Sequence, residues 1–152
     1  MKARYIESLY NGAETTIPVA IRHDIGQICS AAIRVDNRKN TNADLSESFQ
    51  RSGWQSQVTH AGNQGRMDFM RDRVGVEVQL RQGTNVLYNL LKFELDFRDK
   101  MLKAGVIITY DWRSVPIVGT DGQDASIQKL SDFMVAFVET AIVSIKASRC
   151  GR

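Results

Sequence analysis

The chain has 152 residues, of which 43% are hydrophobic, and this suits one globular domain with an ordinary core. A charged fraction of 24% argues against a disordered chain, and the formal net charge of +3 allows a polyanionic partner without requiring one. No apolar run is long enough to span a bilayer and no apolar leader opens the chain, so we expect a cytoplasmic protein. Cys29 and Cys150 form no CxxC pair and indicate neither a zinc site nor a disulfide framework.

The first half of the chain predicts one strand and two helices, over residues 1–9, 18–33 and 43–52. Pro18 suits the start of the first helix, where its missing N–H does no harm. Apolar residues then recur at spacings of three and four, which gives that helix one apolar face that includes Cys29. A polar loop over residues 36–40 separates the helices, and Gly53 ends the second one.

From Trp54 the apolar period changes to two, which predicts three strands over residues 55–60, 66–70 and 74–80. A helix, a strand, a loop, another helix and a last strand follow, over residues 85–103, 105–110, 112–123, 124–135 and 140–146. The helix at 85–103 is placed as a crossover connection would place a parallel neighbour. We therefore expect an α/β fold with an α-β-β-β-α-β core, in which helices flank a mixed central sheet, and a single domain over residues 1–152.

Polar side chains stand on one face of the third of these strands. Residues two apart share a face, so Glu77, Gln79 and Arg81 point to one side, where Gly75 leaves room beside them, and valines point to the other. If the preceding strand pairs across the turn, Asp68 comes alongside Glu77. Two carboxylates from adjacent strands suit Mg²⁺, which can activate water and stabilise charge on a phosphodiester. The alternative is that Glu77 and Gln79 lie on the solvated face of an edge strand.

The segment from Asp68 to Gln79 resembles the active-site segment of the BglII/BstYI group of type II restriction endonucleases, within the PD-(D/E)XK nuclease superfamily. That group carries Gln where most of the superfamily has Lys, and Gln79 stands at this position. Met67 stands where the motif has Pro. The resemblance spans roughly residues 4–130 and extends to Tyr10-Asn11-Gly12-Ala13-Glu14, Leu45-Ser46-Glu47-Ser48-Phe49, Gly53-Trp54 and Val106-Ile107-Ile108.

The resemblance implies a sequence-specific endonuclease that hydrolyses phosphodiesters of double-stranded DNA with Mg²⁺. Asp68 and Glu77 would bind the metal, and Gln79 would orient the attacking water. Glu47 matches the helical acid that some of these nucleases place near the metal; an exposed helix carboxylate is the alternative. Members of the group act as homodimers on short palindromes, often with a GATC core, so DNA and a second copy of the chain are the implied partners.

Residues for DNA contact are predicted in three places. Arg81 and Gln82 directly follow the catalytic strand, and such side chains can reach base edges. Thr120 and Asp121 lie in the loop that matches the group's recognition loop. Arg66, Arg71 and Arg73 are expected to contact phosphates or to be salt-bridge partners.

Two alternatives to a site-specific nuclease stay open at this point. The first is a catalytically silent DNA-binding homologue, because Gln79 replaces a lysine. The second is a nuclease that acts on another DNA structure, such as a nick or a repair intermediate.

Overall fold

The structure is a computed structural model, and it describes residues 3–10, 12–31, 38–59, 65–80, 84–110 and 140–147. The strands are β1 (Ala3–Tyr10), β2 (Gln55–Thr59), β3 (Arg66–Arg71), β4 (Val74–Val78), β5 (Ala104–Tyr110) and β6 (Thr140–Ala147). The helices are α1 (Ala13–Thr16), α2 (Val19–Ser30), α3 (Arg38–Arg51) and α4 (Thr84–Arg98). The part of the chain that the structure describes contains no helix long and apolar enough to cross a membrane.

The six strands form one mixed sheet in the order β1-β6-β5-β4-β3-β2. Strands β2, β3 and β4 are consecutive antiparallel neighbours. β5 runs parallel to β4, as the crossover through α4 requires, and β6 runs parallel to β5 and antiparallel to β1. β4 is therefore an inner strand, flanked on both sides.

Apolar side chains cover the sheet on both faces. On one face, Ile21, Ile25 and Cys29 of α2 pack with Leu45 and Phe49 of α3 against the sheet. Burial raises the pKa of the Cys29 thiol to about 12, so this cysteine is a core residue, as predicted. On the other face, Val86, Leu90 and Phe93 of α4 pack with apolar residues of β3 and β5. The expected architecture, a mixed sheet flanked by helices, is confirmed.

Several predicted elements differ from the structure. α3 begins at Arg38, so residues 38–40, which were expected in a polar loop, are helical. The third predicted strand ends at Val78, although Leu80 is buried as its pattern suggested. The short helix α1 at Ala13–Thr16 was not predicted. The predicted loop at 112–123 and helix at 124–135 lie outside the described residues, as does Cys150.

The helix before β5 is shorter than predicted, because a backbone cap ends it well before Lys103. The N–H of Met101 donates to the Asp96 carbonyl at 2.8 Å, and the N–H of Lys100 donates to the Phe97 carbonyl at 2.9 Å. Lys100 has a φ of 59°, the left-handed conformation that such a cap uses. Residues 101–103 therefore already form the approach to β5.

The apolar residues of α4 and of the turn after it do not form one buried stripe. Leu90 and Leu102 are buried, whereas Leu87, Leu91, Leu95 and Met101 are exposed. The inner face of α4, which packs on the sheet, consists of Val86, Asn89, Leu90, Lys92, Phe93 and Asp96. The outer face of α4 consists of Leu87, Tyr88, Leu91 and Leu95, and all four side chains are exposed. Apolar residues occur on both sides of this helix, so periodicity alone points to the wrong side.

Phe93 fits against the sheet because Gly105 of β5 has no side chain. A Cβ at Gly105 would lie 2.2 Å from the Phe93 ring, a distance at which the ring or the strand must move. We expect Gly105→Ala to lower the free energy of unfolding by about 1–3 kcal/mol, as over-packing usually does. Urea unfolding, monitored by circular dichroism, measures this loss of stability.

Gly75→Ala provides the matched control for this variant. A Cβ at Gly75 would meet the Met67 sulfur at 2.9 Å and the end of the Leu102 side chain at 3.0 Å, and such flexible groups can shift. We expect a smaller loss than at Gly105. An equal or larger loss at Gly75 would contradict the packing described here. These contacts also correct the expectation that Gly75 leaves room for the polar residues, since Met67 and Leu102 take up that space.

Candidate active site

Asp68 and Glu77 lie next to each other where the pairing of β3 with β4 stops. The ladder consists of Arg71 with Val74, Met70 with Gly75 and Phe69 with Val76, so Asp68 and Glu77 form the next position. There the side chains replace the backbone ladder. The N–H of Asp68 donates to Glu77 Oε1 at 3.2 Å, and the N–H of Val78 donates to Asp68 Oδ2 at 2.9 Å. The expected juxtaposition of the two carboxylates is therefore what the structure has.

Glu77 is buried in the interior of the protein. It is 5% exposed, and β4 is an inner strand whose face is covered by α4, so the alternative of a solvated edge strand is wrong. The pKa of the Glu77 carboxyl is raised to about 7, first by burial and then by the charge of Asp68, while Lys92 opposes the shift. An ionised Glu77 therefore needs positive charge close to it.

Two side chains of α4 meet Glu77 of β4 and Gln79, which lies just beyond the end of that strand. The Lys92 ammonium donates to Glu77 Oε1 and, at 2.8 Å, to the Arg66 carbonyl. The Asn89 side chain donates to Gln79 Oε1 at 3.4 Å. Neither Lys92 nor Asn89 was predicted as a site residue, so both are additions. Their signal is a pair of polar residues three apart on a helix, which share a face with Val86, Leu90 and Phe93.

Gln57 of β2 is a further neighbour that sequence reasoning missed. Its side-chain amide donates to Asp68 Oδ1 at 3.3 Å, although the side chain is otherwise exposed. The β2–β3 register contains no pair of Gln57 with Asp68, and Gln57 has a φ of 52° at this gap. A left-handed conformation of a glutamine is strained, and such strain is concentrated at functional sites.

The donor atoms at this centre suit Mg²⁺. Within the described residues, no third Asp, Glu, His or Cys joins Asp68 and Glu77 in a group that could hold a metal ion. Mg²⁺ is commonly bound by only one or two carboxylates together with water and phosphate oxygens. The absence of sulfur and imidazole ligands in this group does not favour zinc. Two adjacent carboxylates, which supply only oxygen donors, fit the hard cation that the sequence led us to expect.

Glu47, the predicted helical acid, is not part of this group. It lies exposed on α3 and forms an ion pair with Arg51 one turn later. This is the arrangement of the alternative interpretation, an exposed helix carboxylate. A catalytic role for Glu47 stays a prediction.

The three predicted arginines of the β3–β4 hairpin lie at its two ends. Arg66 is exposed two residues before Asp68, at the end where the carboxylates lie. Arg73 is exposed in the turn at the opposite end, where its φ of 62° follows the 50° of Asp72, as in a type I′ hairpin. Arg71 donates to Asp24 Oδ2 at 3.0 Å and to the Ser52 carbonyl at 3.3 Å. The structure thus gives Arg71 a salt bridge, one of its two expected roles.

Asp24 joins α2 to the sheet through two donors. Its Oδ2 accepts from Trp54 Nε1 at 2.7 Å as well as from Arg71. We expect Asp24→Ala to lower the free energy of unfolding by about 1–3 kcal/mol, because both donors lose their acceptor in a partly buried place. Asp72→Ala is the matched control, because Asp72 is more exposed and its carboxylate lies 3.9 Å from the same Arg71, a longer and weaker contact. Thermal unfolding of both variants tests this; similar melting temperatures would contradict it.

The remaining predicted DNA contacts lie outside the described residues. These are Arg81, Gln82, Thr120 and Asp121. They stay predictions.

Comparison with known proteins agrees with the fold. A mixed sheet with flanking helices and two carboxylates at the end of a β-hairpin is the arrangement expected of a restriction-endonuclease-like protein. The model of the family described as restriction endonuclease BglII/BglIII matches residues 11–140. This chain belongs to that family. The match includes Asp68, Glu77, Gln79 and the whole of α4.

A solved structure of restriction endonuclease BglII complexed with a DNA 16-mer has a similar fold. The TM-score is 0.77 at 16% sequence identity, and the match covers 99% of this chain and 81% of that one. A search of curated proteins found no match. The restriction-endonuclease fold expected from the sequence is confirmed.

Proposed function

We propose that this chain is a magnesium-dependent type II endonuclease that cuts both strands of DNA at a specific short palindrome. The observation that carries the proposal is the pair Asp68 and Glu77, linked to each other's strands by side chain to backbone hydrogen bonds at the point where β3 and β4 stop pairing. Family membership supports a nuclease, and the solved relative is a complex with DNA.

In this mechanism Asp68 and Glu77 would hold Mg²⁺, which would lower the pKa of water and stabilise charge on a phosphoryl group. A network of hydrogen bonds keeps both carboxylates in place. The Asp68 carboxylate accepts from the Gln57 side chain and the Val78 N–H, and the Glu77 carboxylate accepts from the Asp68 N–H and the Lys92 ammonium. Water adds to phosphorus, the bond from phosphorus to one ester oxygen breaks, and that oxygen leaves with a proton.

Gln79 is the residue that we propose to orient the attacking water. Its side chain is 8% exposed, and the amide of Asn89 contacts its Oε1. A carboxamide can accept a proton of water through its oxygen or donate through its nitrogen, but it carries no charge. Arg66, exposed near the carboxylates, is the described arginine that we propose to contact a DNA phosphate.

A second copy of the chain is the proposed partner in cutting both strands. The pair of Asp68 and Glu77 in one chain can serve one scissile bond, while a palindrome presents two equivalent bonds related by a twofold axis. Of the seven large hydrophobic side chains that are exposed in the described residues, six lie between Leu87 and Met101. Such an apolar patch is typical of an interface, so we propose that the outer faces of α4 from two copies pack together.

Incubation of the purified protein with unmethylated phage DNA tests the proposed function, in magnesium or with chelator. We expect discrete fragments in magnesium and intact DNA with chelator. Their ends give the recognition site, including whether it contains GATC. Intact DNA in every lane, with binding retained in a gel shift, would favour the catalytically silent homologue. A panel of nicked and branched substrates separates a nuclease that acts on another DNA structure.

A further inference from the structure

α4 carries a positive charge into the interior of the protein. Lys92 is 5% exposed, although lysine is among the residues least often buried. Its ammonium group contacts the carboxylate of Glu77 and the carbonyl of Arg66. A buried ion pair is a weak means of gaining stability, because both charges must leave water. The pair of Lys92 with Glu77 therefore calls for a reason other than stability.

The position of Lys92 is fixed by its neighbours on the inner face of α4. Asn89, three residues earlier, contacts Gln79, while Lys92 contacts Glu77, two residues before Gln79 on β4. Phe93, the next residue, packs closely over Gly105. The helix is thus held in one register against the strand, and the backbone of Lys92 cannot shift along the strand without disturbing a packed aromatic ring.

The formal charges of the site show what Lys92 adds. Asp68 and Glu77 contribute two negative charges, and Gln79 contributes none. With Mg²⁺ alone the site would be neutral, whereas with Lys92 it is positive by one unit and matches the single negative charge of a phosphodiester. Charge that grows on the phosphoryl oxygens is stabilised best by fixed positive groups in a site that excludes water.

We propose that Lys92 supplies the positive charge that Gln79 cannot supply, as a positioning residue that acts through Glu77. Its contact with Glu77 keeps the centre one charge more positive than the two carboxylates and the metal ion alone would make it. The inference rests on the proposed nuclease function. It names a residue on α4, outside the strand segment that the sequence singled out, as part of the active centre.

A transfer of the charge from α4 back to β4 tests this proposal. The variants are Lys92→Met, Lys92→Arg, and Lys92→Met combined with Gln79→Lys. Under single-turnover conditions at saturating magnesium, we expect Lys92→Met to cut about 10²–10³ times more slowly, in the range seen when one stabilising group is removed. Lys92→Arg keeps the charge and should stay within about tenfold of the wild type. The double variant should regain at least about tenfold of the loss, since it restores a cation beside Glu77.

Manganese binding without DNA gives a readout that does not depend on cleavage. We expect Lys92→Met to bind Mn²⁺ at least as tightly as the wild type in a calorimetric titration, because one positive charge less opposes the metal. A lysine that serves only to assemble the site would behave differently. Its loss would weaken Mn²⁺ binding, and a higher metal concentration would restore the cleavage rate. That pair of results would overturn the proposal.

Lys100→Met is the matched control, because Lys100 is an exposed lysine just beyond the end of α4. It should cut like the wild type. If Lys92→Met does not fold, as circular dichroism would reveal, Lys92→Gln replaces it with the same expectations. If the wild type and Lys92→Met cut DNA at the same rate, this inference alone is contradicted. A wild type that cuts no DNA contradicts the proposed function, and the inference falls with it.

Discussion

Replacement of either carboxylate by its amide is expected to abolish cleavage while DNA binding remains. Asp68→Asn and Glu77→Gln keep the size of each side chain but remove the negative charge that holds a metal. Loss of several kcal/mol of stabilisation corresponds to a cleavage rate lower by about 10³-fold or more. Supercoiled plasmid carrying the mapped site measures cleavage, and a gel shift in calcium measures binding. Cleavage by either variant at more than about a tenth of the wild-type rate would contradict the assignment.

Exposed carboxylates give the controls for this experiment. Glu47→Gln removes the charge of a side chain that pairs only with Arg51 in its described contacts, and Asp72→Asn does so in the hairpin turn. Both variants should cut at nearly the wild-type rate if Asp68 and Glu77 are the metal ligands. A large loss with Glu47→Gln would instead bring α3 into the site, as the resemblance implied. The controls therefore also decide the open question on Glu47.

A glutamate on the outer face of α4 is expected to separate the two copies of the chain. Leu91 is 56% exposed at the middle of that face, so Leu91→Glu costs the single chain little. In a symmetric pair the change introduces two negative charges into one apolar contact. We expect the dissociation constant of the pair to rise about 100-fold or more. Sedimentation velocity at micromolar concentration should show twice the 17.1 kDa of the chain for the wild type, and one chain for the variant.

Val19→Glu is the control for this substitution. Val19 is an exposed valine, 70% accessible, and it belongs to α2, which packs on the opposite face of the sheet from α4. It should leave the mass in solution unchanged. The Leu91→Glu variant should also lose double-strand cleavage while its circular dichroism spectrum stays that of the folded wild type. A wild-type protein that sediments as a single chain at these concentrations would rule out this interface.

The order of the strands and helices was predictable because local signals agree with the tertiary structure. Pro18 and Gly53 mark helix ends, and the valines of β4 alternate over a short strand between a turn and a break. The end of α4 was not predictable. Its cap uses Lys100 in a left-handed conformation, where sequence rules expect Gly or Asn. α1 has only four residues, too few for a periodic pattern.

The centre of the site was predictable only along β3 and β4. Asp68 and Glu77 are nine residues apart across a tight turn, so a hairpin register was enough to bring them together. Gln57 and Lys92 reach the centre from β2 and α4, and their contacts depend on tertiary packing. Lysine side chains are ordinarily exposed to solvent, so the residue type at position 92 carries no signal that this side chain is buried. Burial of a polar side chain is a property of the fold that composition does not report.

α4 joins two tasks in one helix of 15 residues. Its inner face carries Asn89 and Lys92 against β4, and its outer face is apolar and exposed in the single chain. If two copies meet along that outer face, α4 lies between the active centre on its inner side and the second copy on its outer side, and it is packed on both. A lone chain would then carry its fixed cation on a helix with one face unsupported. Assembly would thereby act as a safeguard, because newly made single chains would be poor at nicking the DNA of the cell that makes them.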